Sequence, residues 1–510
     1  MKLRTGLLLI LTSLQGIVFA QNEIDALHYA QYRPFGSAMA LGTAGALGSV
    51  GSEIGSYSIN PAGLGFYRQN EFNISLGLVN PTTKSEYLGY FMSDNLFGFT
   101  IPNFSYVYTK MLHEKGTEKS DELVSYNFAF QVNRYNNFYN KTFYQGQNRQ
   151  SSFMDFVWEQ AQGTQHPDDL NSISWVAYQT YLLDPSDSTP GEWGIRMADK
   201  RDAGQTGIIE TRGGMYDWNF GGSFNYGNIL YGGISLHYSK AKRNEINTFR
   251  EDNKFFDEGF KNLTLVQDIK SEGSGYGVKA GVIFRPIEEF RVGLSFQSPE
   301  KITISDNYFY EMTSVFDASY AGAPTTLINV QRDPSEDYNN QTGRYPFKYF
   351  VRTPTRLTFS ASYVTGKFGF ISLDVEKVNY SNMSMGSEFD NYLVENTIIK
   401  SDLRPTYNVR LGGEVLVGKD VRLRAGVANY QNPYKSDIQA LKHDYNEWNF
   451  SVGMGIRKKE YGFDIGLMQT NYRDQFVPYQ SAEPYPSATV VRKNSNFALT
   501  ASLIFFIDPD

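Results

Sequence analysis

Five histidines (28, 113, 166, 237 and 443) and no cysteine are what this 510-residue chain offers for imidazole or thiol chemistry. The histidines are scattered, and no pair has metal-ligand spacing. The missing cysteines remove disulfides, thiol nucleophiles and Cys-metal sites together. Gly273-x-Gly275-x-Gly277 imitates a dinucleotide loop, but no βαβ unit surrounds it and a strand face of small residues explains it better. Gly366-Lys367 runs into Phe368 without an upstream glycine, so it is a hairpin turn and not a phosphate loop. There is no G-x-S-x-G elbow. His237 beside Ser235 is expected to face a polar interior without a catalytic role. With no nucleophile–base set in view, the chain is not expected to be an enzyme, and neither metal nor organic cofactor is expected.

Three groups of residues remain. Arg410, Glu414, Arg422 and Arg424 occupy alternate positions of two strand-like segments. Such spacing makes a cross-strand charge ladder holding the wall of the fold; anion selection is the sharper reading of the same residues. Asn60-Pro61-Ala62-Gly63-Leu64 is a tight turn with φ fixed at Pro61. Phe153, Phe156 and Val157 share one helical face of 151–161, and Trp175, Tyr178 and Leu182 share one of 174–184. These are candidate ligand-binding residues of a greasy external cup, or equally two short helices capping what lies beneath.

The elements that must position them are strands. Val409, Leu411, Val415 and Val417 alternate with Asn408, Arg410 and Glu414; Trp448, Phe450, Val452, Met454 and Ile456 alternate with Asn449, Ser451, Gly453 and Gly455. Successive strand side chains point to opposite faces, so one face is apolar and the other polar or small. Strands are expected at 70–80, 97–109, 123–134, 206–226, 229–249, 262–285, 289–311, 354–366, 367–381, 403–418, 420–430, 446–457, 461–474 and 491–507. Pro102 interrupts the second, and proline suits only edges, bulges or strand starts. From the third strand onward, short and long connections alternate. The large loops are 135–205, rich in aromatic residues, and 312–353, whose Asp333-Pro-Ser-Glu-Asp-Tyr-Asn-Asn run reads as a solvated rim. A soluble sandwich has no reason to keep that rule. A transmembrane barrel does, with tight turns on one rim and extended loops on the other. The predicted fold is all-β: an antiparallel up-and-down transmembrane barrel of about 14 strands, an even number as single-chain bacterial barrels have.

Composition and compartment agree. Lys2 and Arg4 precede the apolar run Leu7–Leu11, and Val18 and Ala20 stand at −3 and −1 of a cut before Gln21, the pattern of a secretory signal peptide over 1–20. No later run of 18 apolar residues could form a spanning helix. Aromatic residues make up 15% of the chain, with 36 Tyr and 37 Phe, as strands with one lipid face and interfacial girdles require. A net charge of −7 argues against nucleic acid as a partner. The expected location is the outer membrane of a Gram-negative cell.

Residues 21–69 do not alternate. Their core, Ala38-Met-Ala-Leu-Gly-Thr-Ala-Gly-Ala-Leu-Gly-Ser-Val-Gly51, is too small-sided to form its own core. Placed before the first strand of the 70–510 barrel, it is expected to sit inside as a plug. Here the chain resembles the FadL/TodX family of outer-membrane transporters for long-chain fatty acids and hydrocarbons. The matching residues are Ala40–Ala46, Asn60–Leu64, Phe290–Pro299, Arg352–Tyr363, Arg410–Glu414 and Leu423–Gly426. The resemblance implies fourteen strands, an N-terminal hatch with Asn60–Leu64 as its gating turn, and diffusion of ligand through a hydrophobic pocket and a lateral wall opening. Tyr57 and Ile59 depart from the family pattern, which usually has acidic and small residues there, so gating and ligand preference are expected to differ.

The function expected is passive transport of hydrophobic small molecules such as long-chain fatty acids or hydrocarbons, with outer-membrane lipid as the surrounding partner. A monomer is compatible with the pattern, which leaves oligomeric state open. The competing reading is an accessory barrel of a protein-export apparatus, binding exported proteins through its external loops. A polar porin ranks below both, because a plug obstructs open water flow.

Overall fold

A computed structural model describes residues 23–113, 122–195, 202–253, 260–316, 327–331, 345–388, 390–435, 445–481 and 486–508. The proposed signal peptide and the Asp333–Asn340 rim lie outside the described residues. Fourteen wall strands follow one another in chain order, each antiparallel to the next: β1 (Asn70–Tyr87), β2 (Tyr90–Asn95 with Gly98–Met111), β3 (Leu123–Asn137 with Asn140–Asn148), β4 (Ala203–Tyr226), β5 (Leu230–Asn253), β6 (Phe260–Phe284) and β7 (Phe290–Gln297 with Lys301–Phe316). The circuit continues through β8 (Tyr345–Arg352 with Arg356–Thr365), β9 (Gly369–Asn379 with Ser384–Gly386), β10 (Pro405–Val417), β11 (Val421–Tyr430), β12 (Glu447–Arg457), β13 (Tyr461–Phe476) and β14 (Val490–Ile507). β14 pairs with β1 from Asn70↔Ile507 to Glu86↔Val491, closing the barrel.

Alternation is realised as the sequence implies. Val452, Phe450 and Leu411 are exposed on the outside, while Arg410, Asn449 and Asp464 are buried inside. From β3 onward the short connections, including 227–229, 366–368 and 418–420, gather with both ends of the wall at one rim and the long loops stand at the other. Before it the order is reversed, with the two-residue turn 88–89 at the long-loop rim and the longer connection 112–122 joining β2 to β3 at the short-turn rim.

Two loops are partly wall. Residues 140–148, expected within the loop 135–205, extend β3 and pair with β4 from Asn140↔Thr211 to Asn148↔Ala203. Residues 345–352, expected within the loop 312–353, pair with β7 from Lys301↔Arg352 to Tyr308↔Tyr345. Above the lipid belt a strand faces protein or water on both sides, so its side chains need not alternate and its pattern is lost. The expected strand 289–311 is interrupted at 298–300.

Helix α4 (Phe153–Ala161) and helix α5 (Ser172–Gln179) fold over the long-loop rim. Ser152 and Asp155 form a capping box that starts α4. The Glu251 carboxylate at the tip of β5 accepts the Phe153 N–H at 2.9 Å and a Gln205 amide proton at 2.7 Å, pinning this cap to the wall.

The N-terminal segment lies inside the barrel. Helix α1 (Glu23–Ala30) sits toward the long-loop end, where Asp25 meets Arg243 of β5 at 3.3 Å. The chain descends through α2 (Ala38–Gly42) and α3 (Ile54–Ile59) to a 3-10 turn at Pro61–Phe66. At the short-turn rim Phe66 stacks on Tyr231 at 3.8 Å, and Arg68 bonds Asn228 at 2.5 Å.

Candidate functional site

Seating of the plug depends on wall residues without side chains. A Cβ added at Gly426 would fall 2.4 Å from the Thr43 carbonyl carbon, and one at Gly233 would fall 2.4 Å from the Pro61 carbonyl carbon. The small inward positions of the wall are therefore a footprint into which the plug backbone settles directly. Specific bonds fix its register. Ala38 N–H donates to Ser502 Oγ at 2.9 Å, Gly48 N–H donates to an Asp374 carboxylate oxygen at 3.1 Å, and Asn60 Nδ2 donates to the Val282 carbonyl at 3.3 Å. Asn60 Oδ1 also accepts the Ala62 N–H at 3.1 Å, which fixes the turn from Asn60 to Leu64. Pro61, Ala62, Gly63 and Leu64 are all buried there, against the wall at the short-turn end.

The charged residues singled out from the sequence meet inside the same wall. Glu414 takes Arg424 at 2.7 Å and Arg422 at 3.0 Å. Arg424 continues to Asp464 at 2.9 Å, which Arg457 also holds at 2.6 Å. The chain of alternating charge thus crosses β10 to β13. Arg410 stands apart from it, 3.6 Å from Asp374 and 3.7 Å from Glu376; through Asp374 it touches the plug at Gly48. Sequence reasoning missed further buried pairs, among them Arg356 with Glu376 at 3.1 Å. Lys279 meets Asp217 at 2.8 Å and the plug residue Tyr32 at 3.0 Å, and His237 meets Glu300 at 2.6 Å. His237 does face inward, beside the interruption of β7.

Between plug and cap lies a cavity of about 2340 Å³. α1 forms its floor with Ile24, Leu27 and His28; Phe156 of α4 and the helix α6 (Leu393–Asp402) form part of its upper wall. Leu393 and Val394 are exposed, and both line the cavity. Val394 and Ile398, four apart in the loop 381–402, with Glu395 in the first turn and Lys400 in the last, are the sequence signals for this helix. Three cavity arginines are already neutralised: Arg243 by Asp25 and by Glu245 at 2.5 Å, Arg33 by Glu447 at 2.8 Å, and Arg492 by Asp474 at 2.6 Å. His28 Nδ1 is buried without a hydrogen-bond partner. Burial first, then the charges of Arg243 and Arg492, push this imidazole down to about 3, so it is neutral at ordinary pH.

The predicted ligand-binding residues divide. Phe153, Trp175 and Leu182 are buried in the cap core, where Phe153 packs on Phe249 and Tyr479 at 5.3 and 5.8 Å. Tyr178 packs edge-on against Trp193 at 5.9 Å. Of the five, Phe156 alone also lines the cavity.

Among the described residues the wall opens at a seam between β2 and β3. β2 and β3 pair from Met111↔Ser125 up to Asn103↔Asn133 and no further. Above that point β2 pairs with β1, and the continuation of β3 pairs with β4. Pro102, which lacks an N–H to donate, sits where the ladder ends, and β1 shifts register opposite it between Ser75 and Gly77. The cavity reaches the seam at Thr100, Pro102 and Arg134–Asn140. On the outer face a second pocket of about 510 Å³ is lined by Phe99, Thr100, Ile101, Val132, Tyr216, Trp218 and Lys240. Thr100 lines both. Pro102 was the signal available in the sequence; the partner strand it disconnects was not.

No protein-family model matches this chain, and no curated protein sequence does. Solved structures do match. A Pseudomonas aeruginosa FadL homologue aligns at 12% identity over 91% of this chain and 97% of its own, with a TM-score of 0.51. The P. putida toluene transporter TodX aligns at 12% identity over 93% and 99%, with a TM-score of 0.50. A TodX deltaS2 mutant, described as a monoaromatic hydrocarbon channel, aligns at 11% identity over 94% and 100%, with a TM-score of 0.52. This chain has the fourteen-stranded FadL/TodX barrel fold.

Proposed function

We propose that the protein is a passive outer-membrane channel for hydrophobic small molecules, with its long loops outside the cell and its short turns in the periplasm. The observation that carries this reading is Thr100, which borders both the interior cavity and the outer apolar pocket. A ligand entering beneath the cap rests on α1 and leaves sideways between β2 and β3 into the lipid. The plug, seated on the glycine footprint, keeps water from the straight path. A lateral exit suits an apolar solute because its next environment is also apolar, so no step exposes it to water. Solved examples of the fold, a toluene transporter and a monoaromatic hydrocarbon channel, support the same reading.

Within this class, an uncharged ligand leaves the paired cavity arginines undisturbed, whereas a fatty-acid carboxylate at Arg243, Arg33 or Arg492 would displace a resident Asp or Glu and leave it uncompensated. Arg134, which lines the cavity at the seam and bonds only Asn137 and backbone carbonyls, is the position at which a carboxylate ligand would bind. Cells carrying Thr100→Trp, with an indole across the seam, should accumulate labelled toluene and labelled oleate more slowly, while the purified protein binds them as wild type does. Normal uptake by that variant would remove the lateral route. Normal uptake accompanied by a fall in protein export would favour the export-accessory reading.

A further inference from the structure

Four adjacent strands carry an unusual outward-facing patch at the upper end of the apolar belt. Its rows are set by register. Tyr238 of β5 pairs with Tyr276 of β6, and Lys301 of β7 pairs with Arg352 of β8. The next row is Lys240, Ser274, Thr303 and Phe350, and the third is Lys242, Glu272, Ser305 and Lys348. Lys240, Lys301, Lys348 and Arg352 are exposed, while Ile302 and Val351 between them point inward and are buried. At the strand spacing of a sheet the patch measures about 14 Å across and about 13 Å along the strands.

Five cations share this area with one carboxylate, and that carboxylate, Glu272, lies 3.8 Å from Lys242. Among the described residues no acidic group pairs with Lys240, Lys301, Lys348 or Arg352. Lys301 and Arg352 stand directly opposite one another, an arrangement that costs stability in a sheet. Lys301 is spread over the Phe350 ring at 4.0 Å, and the Tyr238 and Tyr276 rings lie 5.0 Å apart beneath. An aromatic floor, three hydroxyls and unneutralised cations at one membrane level are complementary to phosphate groups on a lipid whose chains run down the belt.

We infer that this face of β5 to β8 binds a phosphorylated glycolipid headgroup of the outer leaflet, with Lys301 and Arg352 sharing one phosphate and Lys240 with Lys348 flanking it. The inference rests on the outer-membrane placement proposed above; Lys240 also lines the outer pocket, so the test acts on Lys301 and Arg352, which do not.

The test uses the full-length barrel in uncharged detergent, carrying a photo-crosslinking residue at Thr303. The probe is labelled bisphosphorylated lipid A. Wild type should capture it saturably, and its monophosphorylated form more weakly. Replacing Lys301→Gln and Arg352→Gln together should raise the half-saturating concentration by on the order of thirtyfold. Lys419→Gln on the opposite rim should change nothing. In lipid-free detergent the double variant should be at least as heat-resistant as wild type, because repulsion is relieved. Capture unchanged in the double variant overturns the site. Displacement of the lipid by millimolar inorganic phosphate overturns the lipid as occupant. Toluene uptake should be normal in the double variant, so a failed capture leaves the transport reading standing, and failed uptake by Thr100→Trp leaves this one.

Discussion

Gly426→Ala isolates the seating of the plug. The added Cβ would meet the Thr43 carbonyl carbon at 2.4 Å, its oxygen at 2.6 Å and Ala44 N at 2.7 Å. All three are backbone atoms and cannot rotate away. Carbon atoms settle near 3.5–4.0 Å, so the plug must withdraw by about 1 Å. Overpacking of this kind costs about 1–3 kcal/mol. If seated and unseated plug are two states, the unseated fraction rises by a factor of about 5–150. The wall should be untouched, because its strands close without the plug. The assay is single-channel conductance in planar bilayers, with heat-modifiable migration as the check on barrel folding. Openings should become more frequent in Gly426→Ala and continuous when residues 21–60 are deleted. Gly366→Ala, with nothing within 4 Å of the added methyl, should behave as wild type. Wild-type conductance in Gly426→Ala, alongside an open deletion barrel, would refute the footprint argument.

Other outcomes follow from the same geometry. An epitope inserted at 184–189 should be reached by antibody on intact cells and one at 418–419 should not; labelling at 418 would invert the orientation. Lys279→Met strands Asp217, 1% exposed, and should cost about 3–5 kcal/mol in urea unfolding, whereas Lys279→Met with Asp217→Leu should recover most of the loss; equal losses would mean the pair is not energetically linked. Replacing Phe153, Phe156, Trp175 and Tyr178 by Ser should make the cap protease-sensitive and weaken toluene binding while the barrel still folds; a protease-resistant cap would contradict its packing. His28, at about 3 when seated against an ordinary 6.5 when released, gains its proton more readily in the released state. Seating of α1 should therefore weaken as pH falls from 6.5 toward 3. A spin label at Ile24 should report loosening at pH 5 in wild type and less in His28→Gln; identical profiles would exclude His28 as the cause.

The sequence by itself determined the wall through the belt. Alternation in segments such as 446–457 is a property of one strand in lipid, because each side chain must suit either lipid or lumen, so it survives in the one-dimensional order of residues. The alternation of short and long connections is equally local, and with the small-residue block at 38–51 it implied fourteen strands and an interior plug. The tertiary structure decided what depends on register between distant segments. Gly426 looks like any small lumen residue until Thr43 is laid against it. Pro102 marks an irregular strand, yet the seam exists only because β2 and β3 stop pairing above Asn103↔Asn133 while β2 keeps β1 and β3 keeps β4. Phe153 and Trp175 have helical spacing that fits a cup or a cap, and the choice lay in what Phe249, Tyr479 and Tyr178 pack against. Lys301 and Arg352 lie fifty-one positions apart, and only strand pairing makes them neighbours. A side chain's preference for lipid, water or core is encoded at its own position; its partner is fixed by closure of the barrel, which no single segment contains.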